Sequence, residues 1–296
     1  NQNKIEIEGL YGSSLSFLLI DIFLSTNRQV FYISNSKENA SYTYTDITEF
    51  IGNENCNLLP SNYRNYKNKI KDESNILNRT KTIRDIAEKK TKIIISYPEA
   101  IFEKIPNEKA IKDKSIDIKV GQELELNNIN EKLFELNFEK DDYVQQPGDF
   151  AIRGNILDIF SYAYTNPLRF EFDDNIIESI REFNIDTQYS IKEIKSAKIT
   201  PDISNKNLIA RGDSIINIID SDALIFVEEI DSIKKSLYEN YIANKNDYSD
   251  KLFVQELKEK KLISVNNFNK QNDLKFDIIQ QPSFNKRFEL LNNDLQ

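Results

Sequence analysis

The hydrophobic pattern of this chain changes period twice, and that constrains the fold more than any single residue does. Before about residue 115 and again after about residue 200, runs with apolar side chains on consecutive positions (29–33, 92–96, 222–227) alternate with helix-length stretches (15–24, 37–50, 73–90, 229–243, 249–260). Strands that are apolar at every position need cover on both faces, which predicts a mainly parallel sheet between helices. Between these flanks the period falls to two. Ile116-Asp-Ile-Lys-Val120 alternates strictly, and a short helix over 128–137 precedes closely spaced strands at 140–145, 149–153, 155–160, 167–173 and 176–183. Turns at Pro147-Gly148, Asn166-Pro167 and Asp173-Asp174-Asn175 separate them. The prediction is an α/β domain split by an inserted β-rich α+β module. Its parts are 1–115 and 201–280 for the two halves, 116–200 for the insert, and 281–296 for a linker.

Charge follows the same division. Residues 116–200 hold nine basic against seventeen acidic side chains and so carry most of the net charge of −9. An acidic surface repels phosphate, which argues against nonspecific nucleic-acid binding. The 296 residues include no His and a single Cys, Cys56. Histidine-based triads, histidine metal sites, internal disulfides and cysteine-cluster metal sites are therefore excluded, and a reducing cytoplasmic setting is expected. No metal site and no catalytic residue is assigned. No apolar run approaches the roughly 18 residues of a membrane span. Starting at Asn1 and lacking Met, the chain reads as a piece of something longer.

Two segments have the composition of a site. Gly9-Leu-Tyr-Gly12-Ser-Ser14-Leu-Ser16 lies at the first predicted strand-to-helix turn, where a nucleotide-binding fold places its phosphate loop. Gly9, Gly12 and Ser13 suit such a loop. Ser14 stands where its last glycine belongs and Leu15 where its lysine belongs, so Ser16 is a hydroxyl without its cationic partner. The segment reads as a vestige that has lost tight nucleotide binding. The second segment is the strand series through Arg153, Arg169 and Arg181. Alternation puts Leu168, Phe170 and Phe172 on one face and Arg169, Glu171 and Asp173 on the other, so three arginines can share the outer face of one sheet. Two readings stand side by side: surface ion pairs with Glu171, Glu178 or Glu182, each worth about 0–1 kcal/mol, or a protein docking patch, since arginine is enriched at hot spots.

The stretch Gly148-Asp-Phe-Ala-Ile-Arg-Gly-Asn-Ile-Leu-Asp-Ile-Phe160, then Pro167-Leu-Arg-Phe-Glu-Phe172 and Ile177-Glu-Ser-Ile-Arg-Glu-Phe-Asn-Ile-Asp-Thr-Gln188, resembles the UvrB-like N-terminal region of the bacterial transcription-repair coupling factors (Mfd). Tyr97-Pro-Glu-Ala100 and Lys198-Ile-Thr-Pro201 add to the resemblance. It implies a degenerate helicase-like, P-loop-type α/β domain (1a and 1b) carrying domain 2 as an insertion. Domain 2 of that family recruits the damage-recognition ATPase UvrA, and the resemblance places its two contact arginines at Arg153 and Arg169; Phe172 and, from the shared sheet face, Arg181 complete the expected contact set. It further implies an adaptor without enzymatic activity or cofactor of its own. ATP, magnesium, DNA and RNA polymerase belong to later domains of the parent translocase, which also mask domain 2 in the resting protein. Asp173 departs from the family, which has a second Phe there. Two other functions are compatible with the residues: an active nucleotide-binding, DNA-unwinding domain using 9–16, and a structural clamp whose arginines pair within the parent protein.

Overall fold

A computed structural model describes residues 4–65, 70–106, 113–202, 212–244, 248–266 and 273–278. The predicted linker at 281–296 lies outside them.

The consecutive apolar runs form the centre of a wholly parallel sheet. Its strands, in spatial order, are β17 (Leu274–Lys275), β1 (Lys4–Glu8), β16 (Lys261–Asn266), β15 (Leu224–Glu228), β2 (Val30–Ile33), β6 (Ile93–Ser96) and β3 (Cys56–Leu58). Every residue of β2 and β6 is buried, as strands covered on both faces require. On one face, α1 (Ser14–Thr26) and α2 (Lys37–Ile51) bring Leu15, Leu19, Phe23, Ala40 and Ile47 onto Val30, Tyr32, Ile95 and Phe226. On the other, α3 (Glu73–Ala87), α7 (Ile230–Asn244) and α8 (Asp250–Leu257) bring Ile83, Ile233, Leu237 and Phe253 onto Phe31, Ile33, Ile94 and Ile225. Local signals set the helix ends. The Ser36 and Asp72 side chains accept from the amides of Asn39 (3.2 Å) and Asn75 (3.1 Å) at the starts of α2 and α3, and Asn27 ends α1 in the left-handed region.

β15 and β16 come from beyond residue 220 yet sit between β1 and β2, so the last third of the chain fills the middle of a sheet begun by the first third. The excursion between is closed at its neck. β7 (Ile116–Lys119) pairs antiparallel with β14 (Ser196–Ile199), Ala197 against Ile118. Beyond that neck lies a six-stranded sheet in the order β13 (Ser190–Ile194), β12 (Ile176–Phe183), β11 (Leu168–Asp173), β10 (Ile156–Ile159), β9 (Asp149–Arg153), β8 (Glu139–Lys140), antiparallel except for the β8–β9 pair. Between β7 and β8, α5 (Leu126–Glu135) lays Ile129 and Leu133 against Phe150, Leu157, Phe170 and Ile180.

The strand expected over 140–145 is instead the two-residue β8. Pairing stops at Lys140 because Asp149 gathers the following segment into a turn, its Oδ2 accepting from the amides of Gln145 (3.0 Å) and Gln146 (2.9 Å). The insert touches the α/β half through Arg84 of α3, whose Nη1 donates to the Ala163 carbonyl at 2.7 Å. No helix among the described residues is long and apolar enough to cross a membrane.

Candidate functional site

The face of the six-stranded sheet opposite its main core gathers the arginines. Cross-strand register sets Asp158 of β10 directly opposite Arg169 of β11, and Arg153 of β9 opposite Ile156, two residues from Asp158. Side chains alternate along each strand, so Arg153, Asp158 and Arg169 emerge on one face while Ile152, Leu157, Ile159, Leu168 and Phe170 face the other. Asp158 is 1% exposed and takes both guanidinium groups. Arg169 donates to it from Nε at 2.7 Å and Nη2 at 2.9 Å, and Arg153 donates from Nη2. These hydrogen bonds hold the Arg169 guanidinium above even its ordinary high pKa.

Rings and loop carbonyls complete the frame. Arg169 lies over the Phe183 ring at 4.4 Å and Arg153 over Tyr143 at 4.8 Å. Arg169 Nη2 also donates to Gln188 Oε1, and Arg153 Nη1 to the Asp142 carbonyl, both at 2.9 Å. Beside Asp158, a small second apolar cluster of Val144, Ala151 and Phe160 keeps water from the floor of the site. The expected open, water-facing arginines are therefore half-covered: Arg153 is 33% exposed and Arg169 19%. They share one face, as alternation predicted. Their acidic partner is none of the three glutamates considered, but Asp158, a lone acid inside an apolar strand.

The other two residues of the predicted patch behave differently. Arg181 sits directly across from Arg169 on β12, where two like charges would repel, and an ion pair with Glu171 relieves them. Phe172 is corrected. Its ring is 1% exposed and packs in the main core beside Phe170 and Ile177, so it presents nothing to a partner. The alternation Leu168, Phe170, Phe172 had already pointed it inward. Asp173, next along, is exposed at the end of β11.

The glycine-containing turn after β1 has its own geometry. Gly9 has φ +82°, and a Cβ there would stand 1.9 Å from the Phe276 carbonyl oxygen, so the returning chain lies directly on the turn. Ser14 closes the turn locally, its Oγ donating to the Tyr11 carbonyl at 2.7 Å and accepting from the Tyr11 amide at 2.9 Å. Leu15 is buried in the core, and Ser16 Oγ donates to Asp46 at 3.0 Å. Gly12 and Ser13 lead into α1, and Ser13 makes no side-chain cap. Two strands away, at the carboxyl end of β15, Glu228 accepts from Tyr32 Oη (2.9 Å), Ser34 Oγ (2.8 Å) and the Asn35 amide (3.1 Å). Sequence reasoning had not singled out this acid. The crevice at the carboxyl ends of parallel strands is where such sheets bind ligands, and here its central carboxylate is taken up by the protein's own donors.

Sequence comparison with known proteins marks out the same insert. Residues 116–204 match the family model of the UvrB interaction domain. The transcription-repair-coupling factor of Bacillus subtilis is 30% identical over 258 residues, 85% of this chain and 22% of that protein. Those of Staphylococcus epidermidis and Staphylococcus haemolyticus are each 24% identical over 67% of this chain and 17% of their own length. The chain thus spans about a fifth of the relatives it matches. By sequence, it belongs with the N-terminal, UvrB-like region of the transcription-repair-coupling factors.

Proposed function

We propose that this segment is a non-catalytic adaptor for transcription-coupled nucleotide excision repair, presenting Arg153 and Arg169 to UvrA. The observation that carries the reading is the convergence of these two guanidinium groups on one face of the module matching a UvrB interaction domain. Arginines held at fixed positions, partly desolvated and bracketed by rings, have the character of interface hot spots. Residues 1–115 and 201–280 act as 1a and 1b, the frame that carries domain 2. The parent is an ATP-dependent DNA translocase of the cytoplasm whose later domains engage DNA and RNA polymerase.

The test is UvrA binding by calorimetry with the whole chain. Arg153→Ala and Arg169→Glu should each weaken association by about thirtyfold or more, roughly 2 kcal/mol. The loss should shrink as salt rises, because salt also weakens the wild-type complex. Unchanged affinity in both folded variants would defeat the assignment.

The same reading leaves the turn at 9–16 without nucleotide chemistry, since Leu15 replaces the cation that would face the phosphates. Titration with ATP and magnesium should give no saturable heat below roughly millimolar concentration. Micromolar binding would favour an active nucleotide-binding domain instead.

A further inference from the structure

The two docking arginines share a single buried carboxylate, and that arrangement defines both their shape and their charge. We propose that Asp158 is the positioning residue of the docking site, fixing Arg153 and Arg169 as one preformed unit that receives a single acidic side chain of the partner; this rests on the docking reading above. Asp158 lies beneath the pair, nearly inaccessible, and accepts from three of their nitrogens. Each guanidinium is also held at its edge by a loop oxygen, from Asp142 or Gln188, and over its face by a ring, Tyr143 or Phe183. Long arginine side chains ordinarily lose much rotamer freedom on binding. Here the fold has already ordered them, so association does not bear that cost again.

The charge count names the partner's chemistry. Two guanidinium groups against one carboxylate leave one positive charge at the centre of a module that is otherwise acidic. Arg153 Nε and Arg169 Nη1 have no partner among the described residues. One carboxylate matches both the residual charge and the unused donors. A second would find no uncompensated positive charge, because Arg181 on the facing strand is already paired with Glu171.

The test is a cycle with purified UvrA and the whole chain: Asp158→Asn, Arg169→Ala and the two combined. Asp158→Asn keeps the shape but puts an amide donor against guanidinium donors. It should weaken binding at least tenfold. In the Arg169→Ala background the same change should have a clearly smaller effect, because part of what it positions is gone. Wild-type affinity for Asp158→Asn, or a loss of equal size in both backgrounds, would overturn the positioning role while leaving the docking reading intact. Wild-type affinity for Arg169→Ala together with Arg153→Ala would remove the docking reading itself. A measurement needing no substitution guards against a variant that does not fold. Nitrogen relaxation of the arginine side chains in free wild-type protein should find the Arg169 Nε–H as rigid as the backbone. A freely reorienting guanidinium contradicts the proposal.

Discussion

Arg79→Ala lowers the stability of the α/β half by about 3–5 kcal/mol, the range for stripping one partner from a buried ion pair. Arg79 projects from α3 into the interior, and its guanidinium joins three separate pieces of chain. Nη1 donates to the carbonyls of Pro60 and Ala100, and Nη2 donates to that of Glu103, all at 2.9 Å. The Ala100 carbonyl belongs to the single turn α4 (Pro98–Ile101), so the arginine bonds a helix end as well as tying a loop. The Glu103 carboxylate lies 3.7 Å from Nε and accepts from the Asn62 amide at 3.0 Å. Truncation leaves three carbonyls unsatisfied and an acid buried without its counter-charge.

The sign of the pH dependence follows from Glu103. Burial pushes its carboxyl up from the ordinary value, and the Arg79 charge is the largest influence pulling it back. Without Arg79 the folded-state pKa rises further above the unfolded one, near 4.3. Below that value both states are protonated and the acid adds no penalty. Above it the unfolded chain releases its proton first and gains. The deficit of Arg79→Ala relative to wild type should therefore be greater at pH 7 than at pH 4, in urea unfolding followed by circular dichroism. A paired change, Arg79→Met with Glu103→Leu, removes both charges and should recover much of the loss. Equal deficits at the two pH values would show that Glu103 is not the group left stranded.

Apolar runs were legible because their physics is local. At 29–33, 92–96 and 222–227, consecutive buried side chains required cover on both faces, and these segments carry β2, β6 and β15 of the parallel sheet. What the sequence hid depends on pairing between distant segments. Nothing local distinguishes β16 as the strand that slides between β1 and β15. β13 carries four exposed residues and one half-buried, so it has no inward face to betray it and forms only because β12 offers an edge. Asp158 was passed over for a related reason. Its strand reads as Ile156, Leu157, Ile159 and Phe160 with one acid among them, and the acid's meaning appears only once register sets it opposite Arg169. A slip of one residue would turn it into the core. Phe172 is the opposite lesson. Periodicity had it right, and the family likeness drew it outward.

Phe172→Ala should cost the inserted module about 3–5 kcal/mol, the range for emptying a buried aromatic site. The ring contributes to the same cluster as Ile118 near the neck, Ile129 of α5, and Phe170 and Ile177 of the sheet, so its removal opens a cavity where helix, neck and strands meet. The backbone around it is fixed. The Phe172 amide donates to the Asn155 carbonyl at 2.9 Å, and Asn155 Nδ2 returns a bond to the Phe172 carbonyl at 2.9 Å. A register shift between Glu171 and Phe172 further limits how far β11 can move to fill a void. Hydrogen exchange read segment by segment separates this effect from any change in the α/β half. Amides of β9 to β12 should lose protection while those of β2 and β6 keep theirs. Phe172→Leu distinguishes core from contact, since it retains most of the buried volume at a cost of about 1–1.5 kcal/mol. It should bind UvrA within about twofold of wild type, against the roughly thirtyfold loss expected when a hot-spot side chain is cut back. A thirtyfold loss in Phe172→Leu with exchange protection intact would return the ring to the interface. The interior position predicts instead that Phe172 acts on docking only through the sheet that holds Asp158 and its two arginines in place.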